Sequence, residues 1–256
     1  MKRVRVIPVL LLAREGLVKT IRFSDARYLG DPINAVKIFN EKMVDELILL
    51  DIEATAKGRI AFDEIEEIVS EAFMPVGYGG GLTSVEQCRE LFRRGVEKVV
   101  INTAVNERPE LVTEAARCFG SQSVVVSIDV RHNFWKRKKA YVKGGRKETK
   151  FSPPEMARRA QELGAGEIFL TSIERDGTFA GYDIELLHSV CSEVEIPVIA
   201  NGGAANIHDF KQAVIEGGCS AVAAGSMFVF AAKGQGVLIK YPSGSELEER
   251  LWSCLI

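Results

Sequence analysis

Short apolar runs alternate along the whole chain with stretches in which apolar residues recur every three or four positions. The apolar runs predict strands near 4–12, 46–52, 75–79, 98–102, 123–129, 166–172, 197–201 and 221–224. The segments between them read as helices with start and stop signals. Asp31 is a plausible N-cap and Pro32 a first-turn residue, and Ile33, Val36, Phe39 and Met43 follow at helical spacing. Ser152-Pro153-Pro154-Glu155 opens another helix, Met156, Ala160 and Leu163 form its apolar stripe, and Gly164 ends it. Eight strand–helix units predict an α/β fold, a parallel (β/α)8 TIM barrel, for which about 250 residues is the usual length. With 256 residues the chain accommodates one such domain over 1–256. The rival, an open doubly wound sheet, is disfavoured because no GxGxxG follows the first strand.

A repeat sharpens the expectation. Pro75-Val76-Gly77-Tyr78-Gly79-Gly80-Gly81 lies over Pro197-Val198-Ile199-Ala200-Asn201-Gly202-Gly203 at an offset of 122, which also pairs Gly95 with Gly217 and Val100 with Val222. The segment starting at Glu46 lies over that starting at Glu167 at an offset of 121. The two halves read as copies of one four-strand unit, so the barrel is expected to have approximate twofold pseudo-symmetry.

Composition narrows the function classes. The chain is 46% hydrophobic and 27% charged, ordinary values for a globular protein. No apolar run approaches the roughly 18 residues of a membrane helix, and Met1-Lys2-Arg3 leads into no signal-peptide core. The expected setting is the cytoplasm, with no membrane contact. A net charge of −2 without a long basic block weighs against nucleic acid. Cys88, Cys118, Cys191, Cys219 and Cys254 are too scattered for a disulfide framework, and His132, His188 and His208 add no metal-ligand spacing. No metal or cofactor is expected.

Gly79-Gly80-Gly81 and Gly202-Gly203 each end a strand and precede a helical segment. At the strand-end rim of a barrel such turns expose backbone N–H groups that close on an anion, and a Cβ there would hold an oxygen away. The following strands end in Asn102-Thr103 and Ala224-Gly225-Ser226, which add amide, hydroxyl and further N–H donors. Two equivalent sites, Gly80, Gly81, Asn102 and Thr103 on one side and Gly202, Gly203, Ala224, Gly225 and Ser226 on the other, suit a ligand with a phosphate at each end. Tight turns alone are the plainer reading of either cluster by itself.

At these residues the chain resembles the cyclase subunit of imidazole glycerol phosphate synthase, the HisF family, over essentially its whole length. Gly30-Asp31-Pro32, Leu50-Asp51-Ile52, Gly79-Gly80-Gly81, Ile101-Asn102-Thr103-Ala104, Ile128-Asp129, Leu170-Thr171-Ser172-Ile173 and Arg175-Asp176-Gly177-Thr178 carry the resemblance. It implies a lyase barrel that receives ammonia from a glutaminase subunit and uses it on a bisphosphate, with two aspartates as acid and base at the ends of strands one and five. Asp129 matches the second of them. Strand one reads Val9-Leu10-Leu11-Leu12 where the family pattern has Cys-Leu-Asp-Val, so Leu11 stands where the other aspartate is expected. Leucine cannot move a proton, and the paired acid–base logic is broken. Lys19 matches the family's mobile-loop lysine, and Asp51, Thr171 and Asp176 match further active-site positions.

The opposite end carries a different message. Arg5, Glu46, Lys98 and Glu167 fall at the starts of strands one, two, four and six. Parity puts Arg5 on the same strand face as Ile7, Val9 and Leu11. Two positive and two negative charges converging on an axis can neutralise one another, and the four match the family's salt-bridged ring at the ammonia entrance. An intact entrance below altered chemistry, together with Leu10-Leu11-Leu12 and Gly16-Leu17-Val18-Lys19-Thr20, resembles a HisF-type sub-family of surface polysaccharide biosynthesis. That resemblance implies a glutaminase-type (HisH-like) partner and a separate ATP-using sugar amidotransferase. Ammonia would convert an acetamido sugar into an acetamidino sugar, and the ligand would be a phosphorylated small molecule or nucleotide sugar. The alternatives are an authentic histidine-pathway cyclase whose acid has moved to Asp51 or Asp176, a sugar-phosphate isomerase on the same barrel, and a non-catalytic glutaminase scaffold. The basic segments Trp135–Lys139 and Gly144–Lys150 in the strand-five loop read as a solvated charged hairpin or as a phosphate contact.

Overall fold

The computed structural model describes residues 3–13 and 16–255. Met1 and Lys2, at which no signal-peptide core is expected to start, lie outside them. Eight parallel strands form the central sheet: β1 (Arg5–Ala13), β2 (Leu47–Asp51), β3 (Val76–Gly79), β4 (Lys98–Ile101), β5 (Val124–His132), β6 (Glu167–Ser172), β7 (Val198–Asn201) and β8 (Ala221–Ala224). Each pairs with the next, and the sheet closes where β1 meets β8 with Arg5 opposite Ala221. Helices connect the strands, so the chain is the expected (β/α)8 barrel.

Local chemistry explains the helix boundaries. Asp31 accepts hydrogen bonds from the N–H groups of Ile33 and Asn34 and starts the helix Pro32–Glu41. Ser152 and Glu155 form a reciprocal capping box at the helix Pro153–Glu162, and Gly164 just beyond it adopts φ +97°. One expected core residue is displaced. Met43 lies past the end of its helix with φ +52° and its side chain is exposed, because the chain has already turned toward β2.

Strand alternation divides the apolar residues into two clusters. The larger joins the outer strand faces to the helices. The smaller fills the barrel with Ile7, Val9, Leu11, Ile48, Val100, Val125, Phe169, Ile199, Ala221 and Ala223. Leu11 therefore packs inside the barrel, as its parity with Arg5 requires.

The two half-barrels correspond in detail. A Cβ on Gly80 would stand 2.5 Å from the carbonyl oxygen of Asp51, and one on Gly202 would stand 2.7 Å from that of Ser172. Both glycines have positive φ, so in each half the turn crosses directly over the end of the preceding strand. The short helices Thr103–Glu107 and Ser226–Val229 begin at Asn102 (φ −114°, ψ −75°) and Gly225 (φ −102°, ψ −73°), nearly the same conformation.

Two antiparallel additions stand at the strand-end rim. Gly16–Ile21 and Ser24–Gly30 form a hairpin on β1, and Lys138–Val142 with Lys147–Glu148 extend β5. Lys19, which the resemblance matches to the family's mobile-loop lysine, lies in the first arm of the hairpin on β1 and is buried with Leu17, Val18 and Thr20.

Candidate functional site

The upper end of the interior is polar where the middle is apolar. Asp129 and Ser127 on β5, Thr171 on β6 and Asn201 on β7 share the inward parity and are buried. Register places Thr171 beside Asp129 on one side and beside Asn201 on the other. Asn102 donates to the Asp129 carboxylate at 3.2 Å, Ser127 donates to it at 3.3 Å, and Asn201 donates to the Thr171 hydroxyl at 3.1 Å. Burial pushes the Asp129 carboxyl up to about 7, against the Ser127 hydrogen bond and with a further push from the negative charge of Asp176. A carboxyl titrating there can give or take a proton near neutrality. Leu11, opposite Leu50 in the β1–β2 register, has no ionisable group to work with it.

The other two aspartates are committed elsewhere. Asp51 follows the inward-facing Leu50, so alternation turns it away from the barrel axis. Its Oδ1 accepts from the N–H groups of Glu53 and Ala54, both at 2.9 Å, and so fixes the turn after β2. Burial raises its pKa, opposed by those two hydrogen bonds. Asp176, beyond β6, takes the Lys19 ammonium between its oxygens at 2.9 and 3.0 Å. That contact, with Arg22 N–H donating to the Asp176 carbonyl at 2.9 Å, seats the rim hairpin on the β6 loop.

The glycine clusters are not equally open. Gly202, Gly203, Ala224, Gly225 and Ser226, with Asp176, Gly177 and Phe179, line a small concave pocket. The Ser226 hydroxyl is buried there without a hydrogen-bond partner among the described residues. On the other side Gly81 N–H already donates to Thr55 Oγ1 at 3.3 Å, and Thr103 Oγ1 accepts from Lys143 N–H at 3.2 Å. Among the described residues no group of three or more His, Cys, Asp or Glu is placed to hold a metal ion. No helix among them is long and apolar enough to cross a membrane.

At the strand-start end Arg5, Glu46, Lys98 and Glu167 form one closed ring. Arg5 pairs with Glu46 and, at 2.6 Å, with Glu167, while Lys98 is 3.0 Å from both glutamates. Exposure falls from 30% at Arg5 through 17% at Lys98 and 13% at Glu167 to 3% at Glu46. Burial lowers the Arg5 pKa, and the charges of Glu46 and Glu167 outweigh it to hold the guanidinium above its ordinary value. With the charges paired four ways, the axis can be capped by ions without an uncompensated charge.

Ser127 and Asn201 are absent from the sequence-derived site. Their signal was present: each is a polar residue at an inward position of an otherwise apolar strand, where an unpaired group would be costly.

The sequence has counterparts among known proteins. A profile of the histidine biosynthesis protein family matches residues 5–233. A Pseudomonas aeruginosa protein, provisionally named imidazole glycerol phosphate synthase subunit hisF2, is 49% identical over 249 residues, covering 97% of this chain and 99% of its own length. A Leptospira borgpetersenii protein, provisionally named imidazole glycerol phosphate synthase subunit HisF, is 44% identical over 250 residues, covering 97% and 98%. The Hyphomonas neptunium imidazole glycerol phosphate synthase subunit HisF is 46% identical over 233 residues, covering 90% and 91%. With the barrel, the profile and these identities in agreement, the chain belongs to the HisF family of imidazole glycerol phosphate synthase subunits.

Proposed function

We propose that this chain is an ammonia-conducting synthase subunit. In this reading it works with a glutaminase and supplies ammonia for acetamido-to-acetamidino sugar modification in surface polysaccharide biosynthesis. One observation carries the reading: the ion ring at the strand starts is complete, while the apolar Leu11 packs inside the barrel at the position where the family resemblance implies an aspartate. The role retained under that combination is passage. Between the ring and Asp129 the interior is packed with Ile7, Val9, Ile48, Val100, Val125 and Phe169, apolar side chains that would offer neutral ammonia moving between them few groups to protonate it. Met43 and Phe73 are exposed on the loops leading into β2 and β3, at the ring end. Asn40 holds those loops together, donating to Glu71 O at 2.7 Å and accepting from Phe73 N–H at 2.9 Å. Two exposed apolar side chains on tied loops at the strand-start end suit a glutaminase docking face.

At the other end, the small glycine-lined pocket with the buried Ser226 hydroxyl suits contact with one phosphate of a phosphorylated small molecule or nucleotide sugar. The first cluster, whose donors are partly engaged, suits a second phosphate less well. Asp129, Thr171 and Lys19 face or frame the space where the acceptor would receive ammonia.

The second reading, an authentic cyclase of histidine biosynthesis, is favoured by the near-neutral Asp129 carboxyl. It lacks a free partner acid, because Asp51 caps a turn and Asp176 is held by Lys19. Complementation separates the two. A histidine auxotroph lacking its cyclase should not grow on this chain, and the purified chain with free ammonia and the family's bisphosphate substrate should show no turnover. Growth, with turnover within a few-fold of an ordinary cyclase, would overturn the proposal.

A further inference from the structure

The hairpin that continues β5 past the mouth has a tip that folding alone does not explain. Its arms run in register from Asp129 opposite Tyr141 to His132 opposite Lys138. At about 3.3 Å per residue the turn at 133–137 stands roughly 15 Å beyond the Asp129 layer. The turn is fixed. Asn133 Oδ1 accepts from Trp135 N–H at 3.0 Å and Arg137 N–H at 3.1 Å, and Lys136 N–H donates to Asn133 O at 3.0 Å. The base is tied on both sides: the His132 ring lies 2.6 Å from Glu174, and Lys138 reaches Asp183 at 2.9 Å and Glu185 at 3.0 Å.

On this rigid support Phe134 is 92% exposed and Trp135 73%. Their rings meet edge to face at 6.0 Å. Lys136 and Arg137 share the turn with them, Arg131 and Lys139 lie lower on the arms, and among the described residues none of the four has a carboxylate within ion-pair distance. Arg131 instead covers the Tyr141 ring, and Lys139 donates to the Lys150 carbonyl. The nearby carboxylate of Glu148 is taken up by Asn133 and Tyr141 at the arms. In a chain of net charge −2, two turn cations without a carboxylate partner among the described residues, next to two exposed aromatic rings, form a distinct surface.

We infer that this tip is a docking surface for an acidic protein with an apolar pocket. Resting on the proposed function, we identify that protein as the enzyme that activates the acetamido acceptor. The pair supplies what binding hot spots use: large rings on a preformed support, each able to bury about 150–250 Å², with cations at the rim. Its place beside the mouth puts the partner where ammonia leaves the barrel. The complementary charge on the partner is therefore negative, and association is steered and salt-sensitive.

The test reconstitutes the full chain with its glutaminase and the ATP-using sugar amidotransferase of the same organism, which is itself the probe. Affinity is measured by interferometry at low and high salt, alongside glutamine-dependent amidation. Wild-type chain should bind, more weakly at high salt. Phe134→Ser with Trp135→Ser should weaken binding about 30-fold or more without changing glutaminase association or the thermal midpoint. Lys136→Glu with Arg137→Glu should weaken it about tenfold and flatten the salt dependence. No binding by the wild type, or unchanged affinity in the aromatic variant, overturns the assignment. So does hairpin-dependent sedimentation with phosphatidylglycerol vesicles in place of amidotransferase binding, which would make the tip a membrane contact. Absence of glutamine-dependent amidation in the wild-type complex would instead sink the functional reading, whatever the hairpin binds.

Discussion

Lys19 and Asp176, one on the rim hairpin and the other beyond β6, form a buried ion pair with Nζ 2.9 Å from Oδ2 and side-chain exposures of 5% and 9%. The pair closes the hairpin over the β6 side of the mouth. Removing one partner leaves the other charged and out of water. Asp176→Asn should therefore lower the unfolding free energy by about 3–5 kcal/mol. Replacing both groups, Lys19→Met with Asp176→Leu, should recover much of that loss. Urea denaturation of the three proteins decides it. A loss below about 1 kcal/mol for Asp176→Asn would mean that water reaches the pair and that it latches nothing.

The same hairpin leaves little trace in the sequence. The eight barrel strands were legible because their apolar runs are short and evenly separated, and because Asp31, Ser152 and Gly164 punctuate the helices between them. The ring was legible through parity, since Arg5, Ile7, Val9 and Leu11 must share a face. The hairpin was not, because Arg22 and Phe23 make its turn at φ +53° and +62° without the glycine or asparagine that announces such a turn. Its second arm, Ser24–Gly30, is exposed at its first five residues and has no apolar alternation to find. The capping role of Asp51 also lay beyond the sequence, since it depends on where the next helical turn begins. Met43 was misplaced because periodicity does not show where a helix ends.

Ser226 offers a test of whether the second glycine cluster is built for a ligand. Its hydroxyl is buried without a hydrogen-bond partner among the described residues. Ser226→Ala should leave stability unchanged or raise it by up to about 1 kcal/mol in phosphate-free buffer. Phosphate should raise the thermal midpoint of the wild type, and the variant should lose much of that rise, because a ligand stabilises the state that binds it. A clear loss of stability without phosphate would show that the hydroxyl has a structural partner. Equal phosphate response in both proteins would make the cluster a turn only.

The Asp129 carboxyl makes a prediction in pH. Its folded pKa, raised to about 7 mainly by burial, lies above the ordinary carboxyl value of 3.8. Between those values the native state binds the proton more tightly than the unfolded chain, so this group's contribution to stability is fully present below about pH 4. It is lost as pH rises through 7. Asp129→Asn cannot ionise and should not show that loss. The stability difference, wild type minus variant, should fall by about 2–4 kcal/mol between pH 4 and 8 and then level off. Denaturation midpoints across that range provide the measurement. A flat difference would place the Asp129 titration near that of an ordinary carboxyl and remove the case for proton transfer near neutrality.

The strongest demand falls on the ring. If ammonia enters between Arg5, Glu46, Lys98 and Glu167, the ring must stay shut to bulk water at rest and admit one small neutral molecule when a glutaminase sits below it. Arg5→Ala leaves Glu46 and Glu167 sharing only Lys98, and Lys98→Ala leaves them sharing only Arg5. Because Arg5 is 30% exposed, water compensates part of the deficit. The stability cost should stay below the roughly 3–5 kcal/mol of a fully buried pair. The functional cost should be selective. Glutamine should still be hydrolysed in the reconstituted complex, but ammonia should escape at the widened entrance, so glutamine-dependent amidation falls by about tenfold or more while amidation from added ammonium salt is unchanged. That asymmetry is what a passage requires, since free ammonia can reach the acceptor from the open mouth without crossing the ring. Glu46, nearly enclosed beneath both cations, gives the matching control. Glu46→Gln keeps the shape and hydrogen bonding of the ring while removing one charge, and should uncouple less than either alanine. If Arg5→Ala and Lys98→Ala reduce both amidation rates equally, the ring only holds the barrel together and ammonia takes another route.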